Sequence, residues 1–407
     1  MKPYTHQSKI FDQAKPILRD NNLVCLSMEE RTGKTLIGLM LAEDHDKANN
    51  ILILTKKKAI PGWEEHLAAW QHSKNYQVIN YESVHKVTVK PDLVICDEAH
   101  YVLSGYPKPG KYQKLVKKLA FYCPVIFMSA TFSAQSFSQL YHILDVTKYS
   151  PWVNYKNFYA WFRDFGIVER IRVAVGEITK YDKTLPGTFE KVEHLFISYT
   201  RRELGFAQEP EDKLHFIGLH PTTVKLYKTL KDDGICIKHG IVADSPMKLM
   251  TILHQLEGGV VKVDNGYLHL GMEKVEYIKS TFGDSKDMVI MAHYVGEQEM
   301  LKREFKNATV LSSTAFAEGV DLSHVDTLII FSQSFSTAQH KQRRARQANM
   351  KRFKPITVHF LLVANGVSQA VYNTVSENGK NFVDRYYLTL EQKQKLQQKI
   401  RDRQHAN

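Results

Sequence analysis

The chain has 407 residues, 43% of them hydrophobic and 24% charged, a composition typical of folded, water-soluble proteins. This composition excludes a disordered tail, a collagen-like fibre and a coiled-coil rod, and the length predicts two or three domains. Lysine and arginine (55) exceed aspartate and glutamate (43) by 12, which favours a polyanionic partner.

Neither a membrane span nor a secretory signal is expected. No apolar run reaches the roughly 18 residues that a span needs, and the first residues lack the apolar core of a signal peptide. The four cysteines lie far apart without a Cys-x-x-Cys pair, so we expect no zinc site and no disulfide framework. A reducing cytoplasm and the absence of a membrane partner fit these features.

Short apolar runs alternate with helical patterns in the first third of the chain. Such near-continuous apolar strands, separated by helices, are typical of a parallel α/β sheet. Buried strands are predicted at residues 23–26, 51–54, 93–96 and 125–128, and helices at residues 35–42, 63–70 and 112–119.

A phosphate-binding loop is predicted between the first strand and the first of these helices. Residues 28–35 end in Gly33-Lys34-Thr35, the core of a phosphate loop, although Met28 stands where the usual first glycine would be. Gly33 lets the backbone approach an anion, Lys34 reaches the β- and γ-phosphates, and Thr35 holds Mg²⁺.

An acidic box follows the buried run at residues 93–96. Its sequence is Asp97-Glu98-Ala99-His100, and a carboxylate at the end of such a strand lies beside the phosphate loop of a parallel sheet. Asp97 can orient Mg²⁺ through water, and Glu98 can position and polarise the attacking water. The two motifs together predict a nucleoside triphosphatase.

The alternation stops near residue 148. Residues 149–165 contain eight aromatic residues at helical spacing, which we expect to form the core of a small helical lobe, with stacking on unpaired bases as the alternative. Buried strands are predicted again at residues 289–292, 309–311, 327–331 and 357–362.

The predicted fold class is therefore α/β, with two parallel-sheet domains in tandem and a small aromatic-rich helical insertion between them. The predicted boundaries are 1–147 for the first domain, 148–212 for the insertion, 213–388 for the second domain and 389–407 for a basic C-terminal helix.

With these two motifs, the chain resembles a superfamily 2 helicase or translocase, and more closely a compact, bacteriophage-type DNA helicase of the Swi/Snf-like branch. The resemblance runs from residue 4 to about residue 352. It includes a Gln motif at Gln7, motif Ia at residues 54–63, motif III at 129–131, motif IV at 290–294, motif V at 311–322 and motif VI at 339–346.

The resemblance implies that both domains are RecA-like, with ATP and Mg²⁺ bound between them. Lys34, Glu98, Arg343 and Arg346 would act in catalysis, the two arginines as fingers that neutralise charge on the transferred phosphoryl group. Thr35 and Asp97 would hold the metal. The residues that would bind the nucleotide are Gln7, Glu30, Arg31, Thr32, Gly33, Lys34, Thr35, Asp97, Gly319 and Asp321.

Two further sets of residues follow from the same resemblance. Those that would couple the nucleotide state to the grip on DNA are His100, Ser129, Thr131 and Gln339. Those that would contact nucleic acid, mainly through its phosphates, are Lys56, Trp63, His293, Ser312 and Ser313.

The implied activity is that of a DEAH-box ATPase, stimulated by nucleic acid, that moves along DNA. Duplex or branched DNA is favoured over single-stranded DNA, and the implied setting is phage DNA replication, recombination or repair in the host cytoplasm. Three alternatives stay open: an RNA helicase, a motor subunit of a restriction or defence complex, and a nucleic-acid-binding scaffold with a degenerate ATP site. The scaffold is motivated by Met28.

Overall fold

The chain divides into two compact units, Met1–Phe206 and Ala207–Asn407. None of the described helices combines the length and the apolar character needed to cross a membrane. The structure is a computed structural model that describes residues 2–130, 132–133, 136–173, 176–205, 210–313, 322, 325–336, 340 and 356–376.

The first unit is built on a six-stranded parallel sheet. Its strands are β1 (Leu23–Met28), β2 (Asn50–Thr55), β3 (Asn75–Asn80), β4 (Leu93–Cys96), β5 (Val125–Ser129) and β8 (Phe196–Tyr199). Their order across the sheet is β3-β2-β4-β5-β1-β8. A separate antiparallel hairpin consists of β6 (Glu169–Val173) and β7 (Gly176–Lys180). Every residue of β4 and β5 is buried, as expected where both faces of a sheet are covered. The helices are α1 (Thr5–Asn21), α2 (Lys34–Asp44), α3 (Ile60–Ala69), α4 (His100–Leu103), α5 (Lys111–Ala120), α6 (Ser138–Leu144) and α7 (Phe158–Phe165).

The predicted buried strands of this unit are confirmed as β1, β2, β4 and β5, and the predicted helices as α2, α3 and α5. The sequence did not indicate β3 and β8, which lie at the two edges of the sheet. An edge strand has a single neighbour, so it does not need a continuous apolar run. No residue of β3 is fully buried.

The aromatic segment belongs to the core of the first unit. Trp152, Phe158 and Trp161 are buried in the same cluster as Tyr141 of α6, and the Trp161 ring lies 5.1 Å from Trp152 and 5.3 Å from Tyr141. Only its second half is helical, as α7, and the chain then continues to β8 beside β1. The first unit therefore extends well past the predicted boundary at residue 147, because these rings are buried against its apolar helices.

The second unit contains a five-stranded parallel sheet. Its strands are β9 (Pro210–Phe216), β14 (Met288–Ala292), β15 (Thr309–Ser312), β16 (Thr327–Ile330) and β17 (Ile356–Leu362). Their order across the sheet is β15-β14-β16-β17-β9. Two short antiparallel pairs are β10 (Ile235–Cys236) with β11 (Ile241–Val242), and β12 (Val260–Val263) with β13 (Gly266–His269). The described helices are α8 (Pro221–Asp233), α9 (Pro246–Glu257), α10 (Glu273–Thr281), α11 (Val295–Glu304) and α12 (Val367–Ser376).

Apolar side chains alternate between two cores along the central strand β14. Ile290 packs with Ile278 of α10 and Leu301 of α11, whereas Val289 and Met291 belong to a second cluster on the other side of the sheet. All four predicted strands of this half are confirmed, and the predicted α/β fold class with two RecA-like units is correct. The predicted C-terminal helix at 389–407 lies outside the described residues.

Two histidines link the edge strand β9 to β17. The His215 Nε2 atom lies 2.9 Å from His359 Nδ1, and His215 Nδ1 lies 2.7 Å from the hydroxyl of Tyr277 on α10. Burial, together with the charges of His215 and Lys213, lowers the pKa of His359 from 6.5 to about 4, and burial also lowers the pKa of His215. Both imidazoles are therefore neutral in the folded protein at pH 7, and one ring donates a hydrogen bond to the other.

We expect this pair to make the protein acid-sensitive. In the unfolded chain His359 takes up a proton near pH 6.5, so its contribution to stability is present above pH 6.5 and is lost as the pH falls toward 4. Since the ring is partly exposed, the expected loss between pH 7 and pH 5 is about 1 kcal/mol. Thermal unfolding from pH 7.5 to 4.5 should show a smaller pH dependence in His359→Gln than in the wild type. His239→Gln is the control, and equal slopes in all three proteins would contradict the assignment.

Candidate nucleotide and nucleic-acid sites

The loop between β1 and α2 closes around Lys34. The ammonium of Lys34 donates to the carbonyl oxygens of Met28 (2.7 Å) and Glu29 (2.9 Å), and the side chain is only 8% exposed. The hydroxyl of Thr32 donates to the same Glu29 carbonyl at 2.7 Å. The first turn of a helix has backbone N–H groups without intrahelical partners, so the start of α2 and Lys34 together form an anion-binding site.

Gly33 and Gln7 are in tight contact. Gly33 has φ +86°, and a Cβ atom there would lie 2.0 Å from Gln7 Nε2, so any other residue would adopt a strained backbone conformation and force the Gln7 side chain to move. Gln7 Nε2 donates to the Gly33 carbonyl (3.4 Å), and Gln7 Oε1 accepts from the backbone N–H of Tyr4 (2.8 Å). A ring nitrogen of His6 lies 3.1 Å from the Thr32 carbonyl. Gln7 and His6 therefore attach the start of α1 to the loop between β1 and α2.

Two side chains from motif Ia orient the carboxylate of Asp97. The Thr55 hydroxyl (2.7 Å) and the Trp63 indole N–H (2.9 Å) both donate to Asp97 Oδ2. The parallel register of β2 and β4, in which Leu54 is paired with Cys96, places residue 55 beside residue 97. Asp97 is therefore held by donors from the neighbouring strand and from α3.

The residues predicted to hold Mg²⁺ have suitable chemistry. Asp97 supplies an oriented carboxylate, and Thr35 supplies a hydroxyl in the first turn of α2. Among the described residues, no group of three or more histidine, cysteine or acidic side chains could bind a metal alone. Mg²⁺ usually takes one or two protein oxygens and completes its shell with phosphate and water, which fits this pair.

Glu98 is partly buried and has a sparsely populated backbone conformation. Its φ is +48°, which costs a non-glycine residue about 1 kcal/mol and is a feature that clusters at functional sites. Burial and the charge of Asp97 raise the Glu98 pKa to about 7, while the charges of Lys34 and Lys56 lower it. Within the described part of the chain, Glu98 Oε2 has no hydrogen-bond partner, although His100 Nδ1 lies 3.4 Å away.

His100 connects the acidic box to motif III. Its Nδ1 atom lies 2.8 Å from the hydroxyl of Ser129, the last residue of β5, and Ser129 is fully buried. Burial and the charges of Lys56 and Lys34 lower the His100 pKa to about 3, so the imidazole is neutral. The predicted partner Thr131 lies outside the described residues, so the structure brings together two of the four predicted coupling residues.

Two of the residues predicted to contact nucleic acid lie inside the first unit. Trp63 is 2% exposed and donates to Asp97, and Lys56 is 7% exposed, with its ammonium 4.5 Å from the centre of the Tyr101 ring. The neighbouring Lys57 is exposed. In this structure Trp63 and Lys56 therefore support the acidic box, a role that the sequence did not indicate.

The structure places the other three predicted contacts together in the second unit. Ser312 ends β15, and the Ser313 hydroxyl lies 3.3 Å from His293 Nδ1, just beyond β14. The backbone N–H of Ser313 donates to the Ala292 carbonyl (2.8 Å), and that of His293 donates to the Ser332 hydroxyl (2.7 Å). These polar groups share the carboxyl edge of the sheet, where ligands of parallel sheets bind.

One buried cation beside the phosphate loop was not predicted from the sequence. Arg201 follows β8, and its guanidinium approaches the carboxylates of Glu29 and Glu30. The sequence contained no usable signal for it because β8 itself was not indicated. Some predicted residues of the second unit lie outside the described residues: Gly319 and Asp321 for nucleotide binding, Arg343 and Arg346 for catalysis, and Gln339 for coupling.

Residues 272–351 match the model of the helicase conserved C-terminal domain. This stretch includes the predicted motifs IV, V and VI, and the match supports a helicase-type ATPase. A comparison with curated proteins gave no match.

Among solved structures, the chain is similar to three proteins at low sequence identity. The SWI2/SNF2 ATPase core of Sulfolobus solfataricus in complex with dsDNA is 14% identical, with 92% of each chain covered and a TM-score of 0.43. The core domain from the same organism is 15% identical over 89% of this chain and 87% of that chain, with a TM-score of 0.41. The Pyrococcus furiosus Hef helicase domain is 12% identical over 92% of this chain and 98% of that chain, with a TM-score of 0.48.

The contact between Gly33 and Gln7 predicts the effect of a single methyl group. We expect Gly33→Ala to destabilise the protein by about 2 kcal/mol. The left-handed backbone conformation is unfavourable for alanine, and its Cβ atom would clash with the Gln7 amide. Urea unfolding of the full chain measures this change. Gly62→Ala is the matched control, since a Cβ there meets no atom within 4 Å. Equal unfolding midpoints for the two variants would contradict the contact.

Proposed function

We propose that the protein is an ATP-dependent DNA helicase or translocase of the Swi/Snf-like branch of superfamily 2, with ATP and Mg²⁺ as cofactors. The observation that carries this proposal is the convergence of Lys34, Asp97 and Glu98 at one edge of the first sheet. Strands β1 and β4 both pair in parallel with β5, so the phosphate loop after β1 and the acidic box after β4 lie at the same end of the sheet. The match of residues 272–351 to the helicase C-terminal domain is an independent support.

The first unit binds the triphosphate and prepares the attacking water. Lys34 exchanges its bonds to the Met28 and Glu29 carbonyls for bonds to phosphate oxygens, and the N–H groups at the start of α2 bind the same anion. Thr35 and Asp97 would hold Mg²⁺, which would neutralise charge on the phosphates.

Glu98 acts on the water that attacks the γ-phosphoryl group. Its buried Oε2 atom has no hydrogen-bond partner among the described residues, so it can accept a bond from that water and orient it. Arg343 and Arg346 are proposed to neutralise charge on the transferred phosphoryl group. His100 and Ser129 are proposed to pass the state of the nucleotide from the acidic box to motif III, because they are in direct contact.

The proposed nucleic-acid contact of the second unit is the row formed by His293, Ser312 and Ser313. Hydroxyl and imidazole groups can donate to phosphates without reading the sequence, and the excess of 12 basic residues favours such binding. We therefore propose sequence-tolerant, salt-sensitive binding of DNA, duplex or branched, and a role in phage DNA replication, recombination or repair.

Steady-state ATPase assays test this proposal. We expect duplex or branched DNA to stimulate ATP turnover strongly, and Lys34→Ala to abolish it, because Lys34 is the cation in the phosphate loop. The panel consists of no nucleic acid, single-stranded DNA, duplex DNA, branched DNA and RNA. Stimulation by RNA alone would reassign the substrate to RNA. Full turnover in Lys34→Ala would contradict the nucleotide site, and binding of ATP without turnover in the wild type would favour the scaffold.

Trp63 provides a second test, because its two candidate roles have different consequences. Trp63→Phe keeps an aromatic side chain but removes the indole N–H that donates to Asp97. We expect kcat to fall about tenfold and the Mg²⁺ concentration required for activity to rise, while DNA affinity stays unchanged. Trp70→Phe is the matched control, since the Trp70 indole N–H makes no hydrogen bond in the described part of the chain. Weaker DNA binding at normal kcat would return Trp63 to the nucleic-acid contacts.

A further inference from the structure

The turn that follows β8 is attached to the phosphate loop. β8 pairs with β1 in parallel, with Met28 opposite Tyr199, so both strands end side by side. The backbone N–H of Glu29 donates to the Tyr199 carbonyl (3.1 Å), and the backbone N–H of Arg201 donates to Glu29 Oε2 (2.8 Å). The Tyr199 hydroxyl also donates to Gln13 of α1 (3.0 Å). Residues 199–201 therefore form one wall of the loop.

The Arg201 side chain lies between the two carboxylates of the loop. Its Nε atom is 3.7 Å from Glu29 Oε2 and its Nη1 atom is 3.7 Å from Glu30 Oε2. The Arg201 side chain is almost completely buried and that of Glu30 is largely buried, whereas the adjacent Arg202 is exposed. Ion pairs removed from water are screened far less than pairs on the surface.

These carboxylates are electrostatically unfavourable for a phosphate loop. A loop that receives a triphosphate offers N–H groups and positive charge, but residues 29 and 30 add two negative charges beside the anion site. Without a compensating cation, both acids would repel the incoming phosphates. The buried guanidinium of Arg201 is placed to supply this compensation.

We propose that Arg201 is a positioning residue of the nucleotide site, which neutralises Glu29 and Glu30 and thereby lets the loop accept a triphosphate. The inference rests on the proposed ATPase function. It assigns Arg201 to the loop carboxylates and not to the reacting atoms. Charge compensation makes a distinctive prediction, because removal of the two acids should make the arginine dispensable.

The test is the affinity of the full chain for Mg-ATP, measured by isothermal titration calorimetry. We expect Arg201→Ala to weaken ATP binding about tenfold, which corresponds to about 1.4 kcal/mol. Arg202→Ala is the matched control and should bind like the wild type. In the triple variant Arg201→Ala/Glu29→Gln/Glu30→Gln, affinity should return to within about threefold of the wild type, since glutamine keeps an acceptor oxygen for the backbone N–H of residue 201.

The single variant Glu29→Gln tests the same inference without touching the arginine or the predicted nucleotide-binding residue Glu30, and it should bind ATP at least as tightly as the wild type. Normal affinity in Arg201→Ala, a triple variant that stays weak, or a Glu29→Gln variant that binds weakly would each overturn the inference. These results leave the proposed function intact as long as the wild type binds ATP. A wild type that does not bind Mg-ATP would overturn the proposed function, and the inference with it.

Discussion

The parallel pairing of β1, β2, β4 and β5 is the constraint on which the candidate site depends. Parallel strands in register end at the same edge, and here Ser27 is paired with Ser129 and Leu54 with Cys96. The polar residues at or just after the ends of these strands, Glu29, Lys56, Asp97 and Ser129, therefore form one row, although the four strands are distant in sequence. The apolar side chains of these strands supply the burial free energy that keeps the row in place.

Burial also determines the chemistry of this row. Lys34 is surrounded by carbonyl oxygens, the Glu98 pKa is raised to about 7, and His100 stays neutral because its pKa is lowered to about 3. Such pKa shifts arise where a low dielectric constant disfavours the charged form, and they cluster at functional sites. The left-handed backbone at Glu98 is tolerated because the packed strand β4 leads directly into it.

The second unit repeats this principle with a different set of polar groups. His293, Ser313 and Ser332 lie beyond the ends of β14, β15 and β16, and they are connected by hydrogen bonds through their side chains and backbone. The Ser332 hydroxyl also donates to the buried carboxylate of Glu297, whose pKa burial raises to about 7. A row of hydroxyl and imidazole groups suits a partner with negative charge and no required sequence, which is the property of a nucleic-acid backbone.

The sequence by itself determined the central strands, the phosphate loop and the acidic box, because a strand buried on both faces must be continuously apolar and its polar neighbours then stand out. It did not indicate the edge strands β3, β8 and β9, which tolerate polar residues since they have one neighbour each. Without β8, the pairing of Arg201 with Glu29 and Glu30, about 170 residues apart, had no local signal. The predicted motif Ia was similarly ambiguous: a tryptophan and a lysine beside a strand fit a surface contact, and only the fold showed that both are buried and that the Trp63 indole donates to Asp97. Local patterns reveal which strands are buried, but the partner of a polar side chain depends on contacts between residues that only the tertiary structure brings together.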